Sequence, residues 1–214
     1  METKEMLEKS IVEYMGNQRN DWHQPQVGKY HASQVWGCLR KQYYGFKDPK
    51  PFPSDAKGRM RVGSLIHNFM QCYVLNGKMI GCEDEIHVPI ARGIEILGKY
   101  DMIGKDEEGE YVVDFKSTSY IKDDKTEASM HHQIQMNMYL EGLNLDRGYI
   151  MEIGKTDLKA KVFEVSRNPE LIEKTFDRIQ KLHDCLKEDK LPEKDSQNNW
   201  ECSYCQYKEQ CDKH

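Results

Sequence analysis

Apolar and polar residues alternate with a period that changes several times along this chain, and each change predicts an element. Residues 2–16 carry Met6, Ile11, Val12 and Met15 at helical spacing before "GNQRNDWHQPQVGKY" interrupts with Gly, Asn and Pro, so a peripheral helix followed by a loop is expected. In "ASQVWGCLRKQYYG", Ser33 is the expected N-cap and Gly45 the expected stop of a short helix that contains Cys38, with Arg40 and Lys41 close by. The Pro-rich "KDPKPFPSD" is expected to be a linker. From Gly58 to Leu75, Val62, Leu65, Ile66, Phe69, Met70 and Tyr73 fall on one helical face, with His67 beside it.

After "NGKMIG" the period drops to two, and "DEIHVPI", "IEILGKYDMIG" and "EYVVDFKST" predict three extended segments, with "KDEEGE" as the turn between the last two. Residues 127–143 return to helical spacing, "DRGYIMEIG" and "LKAKVFEV" predict two further strands, and Asn168-Pro169 opens an amphipathic helix. The order from residue 58 onward is helix, three strands, helix, two strands, helix, an α/β pattern with no internal repeat. The expected organisation is an N-terminal segment at 1–57, a core at 58–190 and a small cysteine-bearing module at 191–214.

Composition narrows the class. The 214 residues are 38% hydrophobic, 31% charged and 10% aromatic, which is a globular profile. The first twenty residues mix charges throughout, and no stretch approaches the ~20 apolar residues of a membrane span, so the expectation is a cytosolic protein with no membrane partner. The formal net charge of −5 excludes a global positive field for nucleic acid and leaves only a local basic groove, with Arg40, Lys41, Lys57, Arg59 and Arg61 as candidates.

The chemistry concentrates in "GKYDMIGKDEEGEYVVDFKST". Asp101 is expected in one strand and Asp114 in the next, so that an antiparallel hairpin brings the carboxylates together. Asp114 and Lys116 are two apart and share a strand face. Two converging carboxylates form a hard-oxygen site for Mg2+ or Mn2+, and a lysine beside them can orient a nucleophilic water or stabilise developing negative charge. Taken alone, D-x-K is very common and far more often marks a strand whose charges face solvent or pair with each other. Two features add weight: Asp114 directly follows the apolar Val112 and Val113, where an ionised group needs a partner, and Gln135 and Tyr139 lie at i and i+4 on one helical face.

Taken in order, G-x-x-x-H (Gly63 to His67), G-x-x-D (Gly98 to Asp101), D-x-K (Asp114 to Lys116) and Q-x-x-x-Y (Gln135 to Tyr139) resemble the RecB-type nucleases of the PD-(D/E)xK superfamily. The resemblance covers roughly residues 58–166. It implies a restriction-endonuclease-like core, a central mixed sheet flanked by helices. It also implies that His67, Asp101, Asp114 and the backbone carbonyl of Phe115 hold a divalent metal, that Lys116 is catalytic, and that Gln135 and Tyr139 support it. Asp114 stands where many members have Glu, a ligand arm shorter by one methylene.

The tail "CSYCQYKEQC" supplies Cys202, Cys205 and Cys211, three thiolates of an incomplete metal site. On spacing alone the fourth ligand is either His214, which closes a local zinc site, or the distant Cys38, which makes an all-thiolate site of the kind that suits an iron-sulfur cluster. One N-terminal cysteine with C-x-x-C and a further cysteine beyond the nuclease core resembles the iron-sulfur RecB-like nucleases, among them the AddB-type helicase-nucleases and the Cas-four group of CRISPR-associated exonucleases. The stand-alone length is similar to the latter. That resemblance implies a 4Fe-4S cluster on Cys38, Cys202, Cys205 and Cys211 joining the two ends of the fold. It further implies 5′-to-3′ cleavage of single-stranded DNA or of DNA with single-stranded overhangs, and a CRISPR integrase complex as partner. The competing classes are a zinc-stabilised, non-catalytic DNA-binding module and a mobile-element or repair-associated RecB-like nuclease that shares the core.

Overall fold

The computed structural model describes residues 25–50, 54–74, 79–196 and 199–213, so the expected helix at 2–16 and the terminal His214 lie outside the described residues. The elements are β1 (Lys29–His31), α1 (Leu39–Lys47), α2 (Ser54–Phe69) continued by a π-helical turn (Met70–Val74), β2 (Met79–Gly81), β3 (Glu85–Ala91), β4 (Ile94–Lys99), β5 (Met102–Asp106), β6 (Gly109–Thr118), α3 (Met130–Leu143), β7 (Arg147–Gly154), β8 (Ala160–Ser166), α4 (Pro169–Lys187), α5 (Asn199–Ser203) and α6 (Lys208–Cys211). The strands form two sheets, β1-β4-β3 and β2-β5-β6-β7-β8. The α/β class with mixed sheets flanked by helices agrees with the expectation. Pairing is antiparallel except for β1 on β4 and β6 on β7.

The parallel β6–β7 pair needs a crossover, which α3 provides. Helix α3 is buried over seven consecutive residues, Ile134 to Leu140. It lies in the centre of the molecule, against strands of both sheets and against α4. Ser129 caps its first turn by accepting from His132 N, and Asn144 ends it in the left-handed conformation at φ 53°. Helix α4 buries a single stripe, Ile172, Thr175, Ile179, Leu182 and Leu186, and opens with Asn168 accepting from Leu171 N ahead of Pro169, as its sequence predicts. One large apolar cluster joins Tyr30, Leu39 and Tyr44 near one end of the chain to Ile96, Ile134, Ile150 and Ile179 in the centre and Tyr207 near the other end. A smaller cluster of Met70, Met102, Val113, Phe115 and Ile153 lies on the opposite face of the larger sheet.

Four local expectations are corrected. Cys38 is the N-cap residue of α1 rather than a residue inside it; Ser33 falls in the preceding turns, and Gly45 is carried within the helix. The presumed single strand over residues 94–104 is two strands in different sheets, with Tyr100 and Asp101 at the break. Asp101 therefore lies between strands rather than in one. The short strands β1 and β2, in stretches read as loop and turn, complete the sheets. The apolar face expected on the 58–75 helix is largely uncovered among the described residues: Val62, Leu65 and Phe69 are exposed and only Met70 is buried.

Candidate active site

Strand β6 presents Val112, Asp114 and Lys116 to the α3 side and Val113 and Phe115 to the smaller cluster, because side chains alternate along a strand. Asp114 is only 3% exposed. Burial pushes its carboxyl up from the ordinary carboxylate range, the Lys116 charge opposes that, and Asp101 adds to the rise. Lys116 Nζ lies 2.7 Å from Asp114 Oδ2. That oxygen is buried, and its contact with Lys116 joins opposite charges without ideal hydrogen-bond alignment. The ammonium instead donates to Gln135 Oε1 at 2.9 Å.

The support continues along α3. Gln135 Nε2 donates to Tyr139 Oη at 2.6 Å, and the Tyr139 hydroxyl donates to the Lys99 carbonyl at 3.0 Å. Burial, followed by the nearby Asp114 charge, pushes the Tyr139 hydroxyl up, so it remains a donor. Gly98 makes this packing possible. A Cβ at residue 98 would come within 2.7 Å of Tyr139 Cε1 and 3.0 Å of Ile86 Cγ1, closer than side chains tolerate. The glycine of the G-x-x-D stretch is thus required by the close approach of the Tyr139 ring to β4.

Asp101 projects from the break between β4 and β5. Its Oδ2 accepts from Phe115 N at 2.6 Å, tying it to the strand that carries Asp114. Its Oδ1 lies 3.2 Å from His67 Nδ1 on α2, and the His67 ring meets Phe115 edge-on at 5.9 Å. Gln71, in the π-helical turn, fixes the break by donating to the Asp101 carbonyl at 2.7 Å. A strand residue directs its N–H and C=O to the same edge, so the Phe115 carbonyl leaves β6 on the side of Asp101. His67, Asp101, Asp114, Phe115, Lys116, Gln135 and Tyr139 are therefore drawn into one connected region from α2, the β4–β5 break, β6 and α3. Among the described residues, no three His, Cys, Asp or Glu side chains stand in an arrangement ready to hold a single ion.

The profile of the PD-(D/E)XK nuclease superfamily matches residues 76–212. The chain belongs to the PD-(D/E)XK nuclease superfamily. Among solved structures, a protein designated SSO0001 superposes with a TM-score of 0.62 at 20% identity, covering 97% of this chain and 94% of that one. The alkaline exonuclease LHK-Exo of Laribacter hongkongensis superposes at 0.53 with 14% identity, and in its complex with dAMP at 0.57 with 16% identity, each covering 76% of this chain and 90% of that one. Curated proteins contain no significant match to the sequence. At these identities the superpositions establish a shared fold.

The second group of expected site residues also converges. Cys38, Cys202, Cys205 and Cys211 line one cavity of ≈ 20 Å³, together with Arg40, Tyr44 and Tyr207. Burial pushes the Cys38 thiol up, against backbone groups of Lys41 and Arg40 at the start of α1 that favour its ionised form. Arg40 Nη1 approaches Cys211 Sγ at 3.6 Å, and its Nε donates to the Pro192 carbonyl at 2.8 Å. The Tyr44 hydroxyl is buried at this cavity with no hydrogen-bond partner among the described residues. Around the cavity, Asp195 accepts the Leu39 N–H at 2.7 Å and pairs with Arg178, which also donates to the Gly37 carbonyl at 2.7 Å and stacks on Trp36 at 5.2 Å.

Sequence reasoning missed several of these residues. Glu152 on β7 is only 4% exposed and is gripped by Lys125, whose Nζ lies 2.6 and 2.7 Å from its two oxygens. A charge between Met151 and Ile153 in an apolar strand was a legible signal. Gln71, between Met70 and Cys72 in an apolar run, was a signal of the same kind, whereas Arg178 and Asp195 gave none, since each lies in a stretch rich in polar residues.

No described helix is long and apolar enough to cross a membrane.

Proposed function

We propose that this protein is a metal-dependent deoxyribonuclease that hydrolyses phosphodiesters. The observation that carries the reading is the chain of contacts from Asp114 through Lys116, Gln135 and Tyr139 to Lys99, assembled beside Asp101 and His67. The donor chemistry fits a hard divalent cation: two carboxylates, one imidazole and a backbone carbonyl, with Asp114 Oδ2 buried and lacking an aligned donor. Asp101, Asp114, His67 and the Phe115 carbonyl would hold Mg2+ or Mn2+. Such an ion, when bound, supplies Lewis acidity to the phosphoryl group and acidifies a water.

The chain's own residues do the rest. Gln135 holds the Lys116 ammonium through one donor direction and leaves its remaining donors for a water or a phosphate oxygen. Tyr139 fixes the rotamer of Gln135, and the Lys99 carbonyl fixes Tyr139. Phe115 N holds Asp101 facing β6.

The cysteine cavity supports an iron-sulfur cluster bound by Cys38, Cys202, Cys205 and Cys211. A single zinc requires four ligand atoms within ~2.3 Å of one point, whereas the thiolates of a 4Fe-4S cluster each bind a separate iron and stand farther apart. Four cysteines lining one cavity are an all-thiolate donor set of the kind such a cluster takes. The unpartnered Tyr44 hydroxyl is a donor waiting for an acceptor in the same space. Cys38 at the start of α1, Cys202 in α5 and Cys211 in α6 would tie these helices together if they hold such a cluster.

Its substrate in this reading is DNA with single-stranded character, degraded from the 5′ end, and its setting is the trimming of DNA beside a CRISPR integrase complex. The motif resemblance supports this. Cleavage of 5′- and 3′-labelled single strands, duplexes and overhangs with Mg2+ or Mn2+ tests it. Wild type should cut and lose activity with chelator, and Asp114→Ala and Lys116→Ala should be inactive while folded. Undiminished cutting by both variants sinks the assignment. Freshly purified anaerobic protein should be brown, with broad absorption near ~400 nm from thiolate-to-iron charge transfer; a colourless preparation with stoichiometric zinc points to the non-catalytic module.

A further inference from the structure

Lys116 sits between two buried carboxylates, and only one of them is useful to it. On its own strand it faces Asp114. Across the parallel ladder its register partner is Glu152. Residues in register on neighbouring strands point to the same sheet face, and the neighbours confirm the parity: Val112 and Ile150 both join the large cluster, whereas Val113, Phe115 and Ile153 join the small one. Glu152 therefore projects onto the same face as Lys116, one strand away, and is as deeply buried as Asp114. A buried carboxylate in such a place attracts whatever cation is within reach.

Lys125, from the segment between β6 and α3, meets that demand. It touches both Glu152 oxygens and lies 5.4 Å from the centre of the Phe163 ring. His132, whose Nδ1 is 3.7 Å from Glu152, cannot substitute as a counter-charge. Burial, with the neighbouring Lys116, His131 and Lys125 charges adding to it, pushes the imidazole down to about 3, so it is neutral near pH 7. The face thus carries alternating charges in the order Asp114, Lys116, Glu152, Lys125.

We propose that Lys125 is a positioning residue for cleavage: by neutralising Glu152 it leaves Lys116 to Asp114 and Gln135. Without it, Glu152 recruits the Lys116 ammonium across the β6–β7 ladder and draws it out of the active site. Lys125 and Glu152 also line an open cavity of ≈ 700 Å³ with Thr118 and Lys122, so a direct contact of Lys125 with DNA is the rival role and must be separated by the test.

The inference rests on Lys116 being catalytic. Steady-state cleavage of a labelled single-stranded oligonucleotide with Mn2+ is measured for wild type, Lys125→Met, Lys125→Gln, Lys125→Arg, Glu152→Gln and the double variant Lys125→Met/Glu152→Gln, with Lys116→Ala as control. Displacement of a catalytic group by about an ångström costs about 100-fold. The expected result is a kcat loss of that order in Lys125→Met and Lys125→Gln with KM unchanged, retention in Lys125→Arg and Glu152→Gln, and recovery of kcat in the double variant. Recovery by removing a second charge is not the signature of a merely structural lysine. Wild-type kcat in Lys125→Gln, a double variant as slow as Lys125→Met, or a change in KM alone overturns the proposal. Undiminished cleavage by Lys116→Ala would instead overturn the underlying assignment of Lys116, which keeps the two failures distinct.

Discussion

Replacing Lys116 by Met removes the cation from a carboxylate that has almost no access to water. Asp114 and Lys116 side chains are 4% and 21% exposed, so their 2.7 Å contact is weakly screened. Removing one partner of a fully buried pair costs about 3–5 kcal/mol, and the residual exposure of Lys116 brings this pair to the lower limit or just below it, about 2–3 kcal/mol. For a chain of this size each kcal/mol moves Tm by roughly 2–4 °C, so Lys116→Met is expected to melt about 4–12 °C lower at pH 8 in chelator. The pH dependence follows from the direction of the Asp114 shift. Its folded-state pKa is raised, chiefly by burial, so the ionised form costs stability above that pKa and the cost vanishes as the group protonates. Without Lys116 the pKa rises further. The deficit of Lys116→Met relative to wild type should therefore shrink as pH falls from 8 towards 5. Asp114→Asn, which removes the buried charge, should melt at or above wild type at pH 8, and Asp114→Asn/Lys116→Met should recover most of the loss of the single lysine variant. Differential scanning calorimetry of the four proteins at several pH values reads all of this. A Lys116→Met deficit that is independent of pH, or absent at pH 8, refutes the reasoning.

Gly98→Ala places a methyl against the Tyr139 ring and Ile86. Overpacking of this kind costs about 1–3 kcal/mol, and displacement of Tyr139 should lower kcat as well, read from melting and cleavage on the same preparation. Arg178→Ala removes the guanidinium that joins Asp195, the Gly37 carbonyl and the Trp36 ring. It should cost about 3 kcal/mol and expose the chain near residue 195 to limited proteolysis before the rest unfolds. Tyr44→Phe deletes a buried hydroxyl with no partner among the described residues and should raise the Tm of metal-free protein by about 2–4 °C, the equivalent of about 1 kcal/mol. A fall in Tm would show that the hydroxyl is already satisfied.

The sequence was most informative where one element settles the pattern. The 3.6-residue stripe of α4 and its Asn168-Pro169 start predict the helix as it stands. The D-x-K spacing places Asp114 and Lys116 on one face whatever the sheet does, because alternation is a property of a single strand. Gln135 and Tyr139 share a helical face for the same local reason. The double break at Tyr100 and Asp101 was illegible because Ile94, Ile96, Tyr100 and Met102 keep one parity throughout. Tyr100 belongs to the large cluster and Met102 to the small one, so the alternation survives while the strand changes sheets. The apolar face of α2 misled in the opposite sense: helical spacing reports what could be buried, and among the described residues most of that face is not.

What the sequence by itself determined is the set of local geometries: which residues share a face, which helices start where, and that four cysteines at the two ends of the chain could belong together. Only the tertiary structure decided which faces meet. It moved Asp101 out of a strand and onto the Phe115 amide, made Gly98 the space for Tyr139, and drew Cys38 into one cavity with the tail cysteines. It also set Glu152 beside Lys116 through a parallel ladder, a register that rests on a crossover through α3 and that no local spacing encodes.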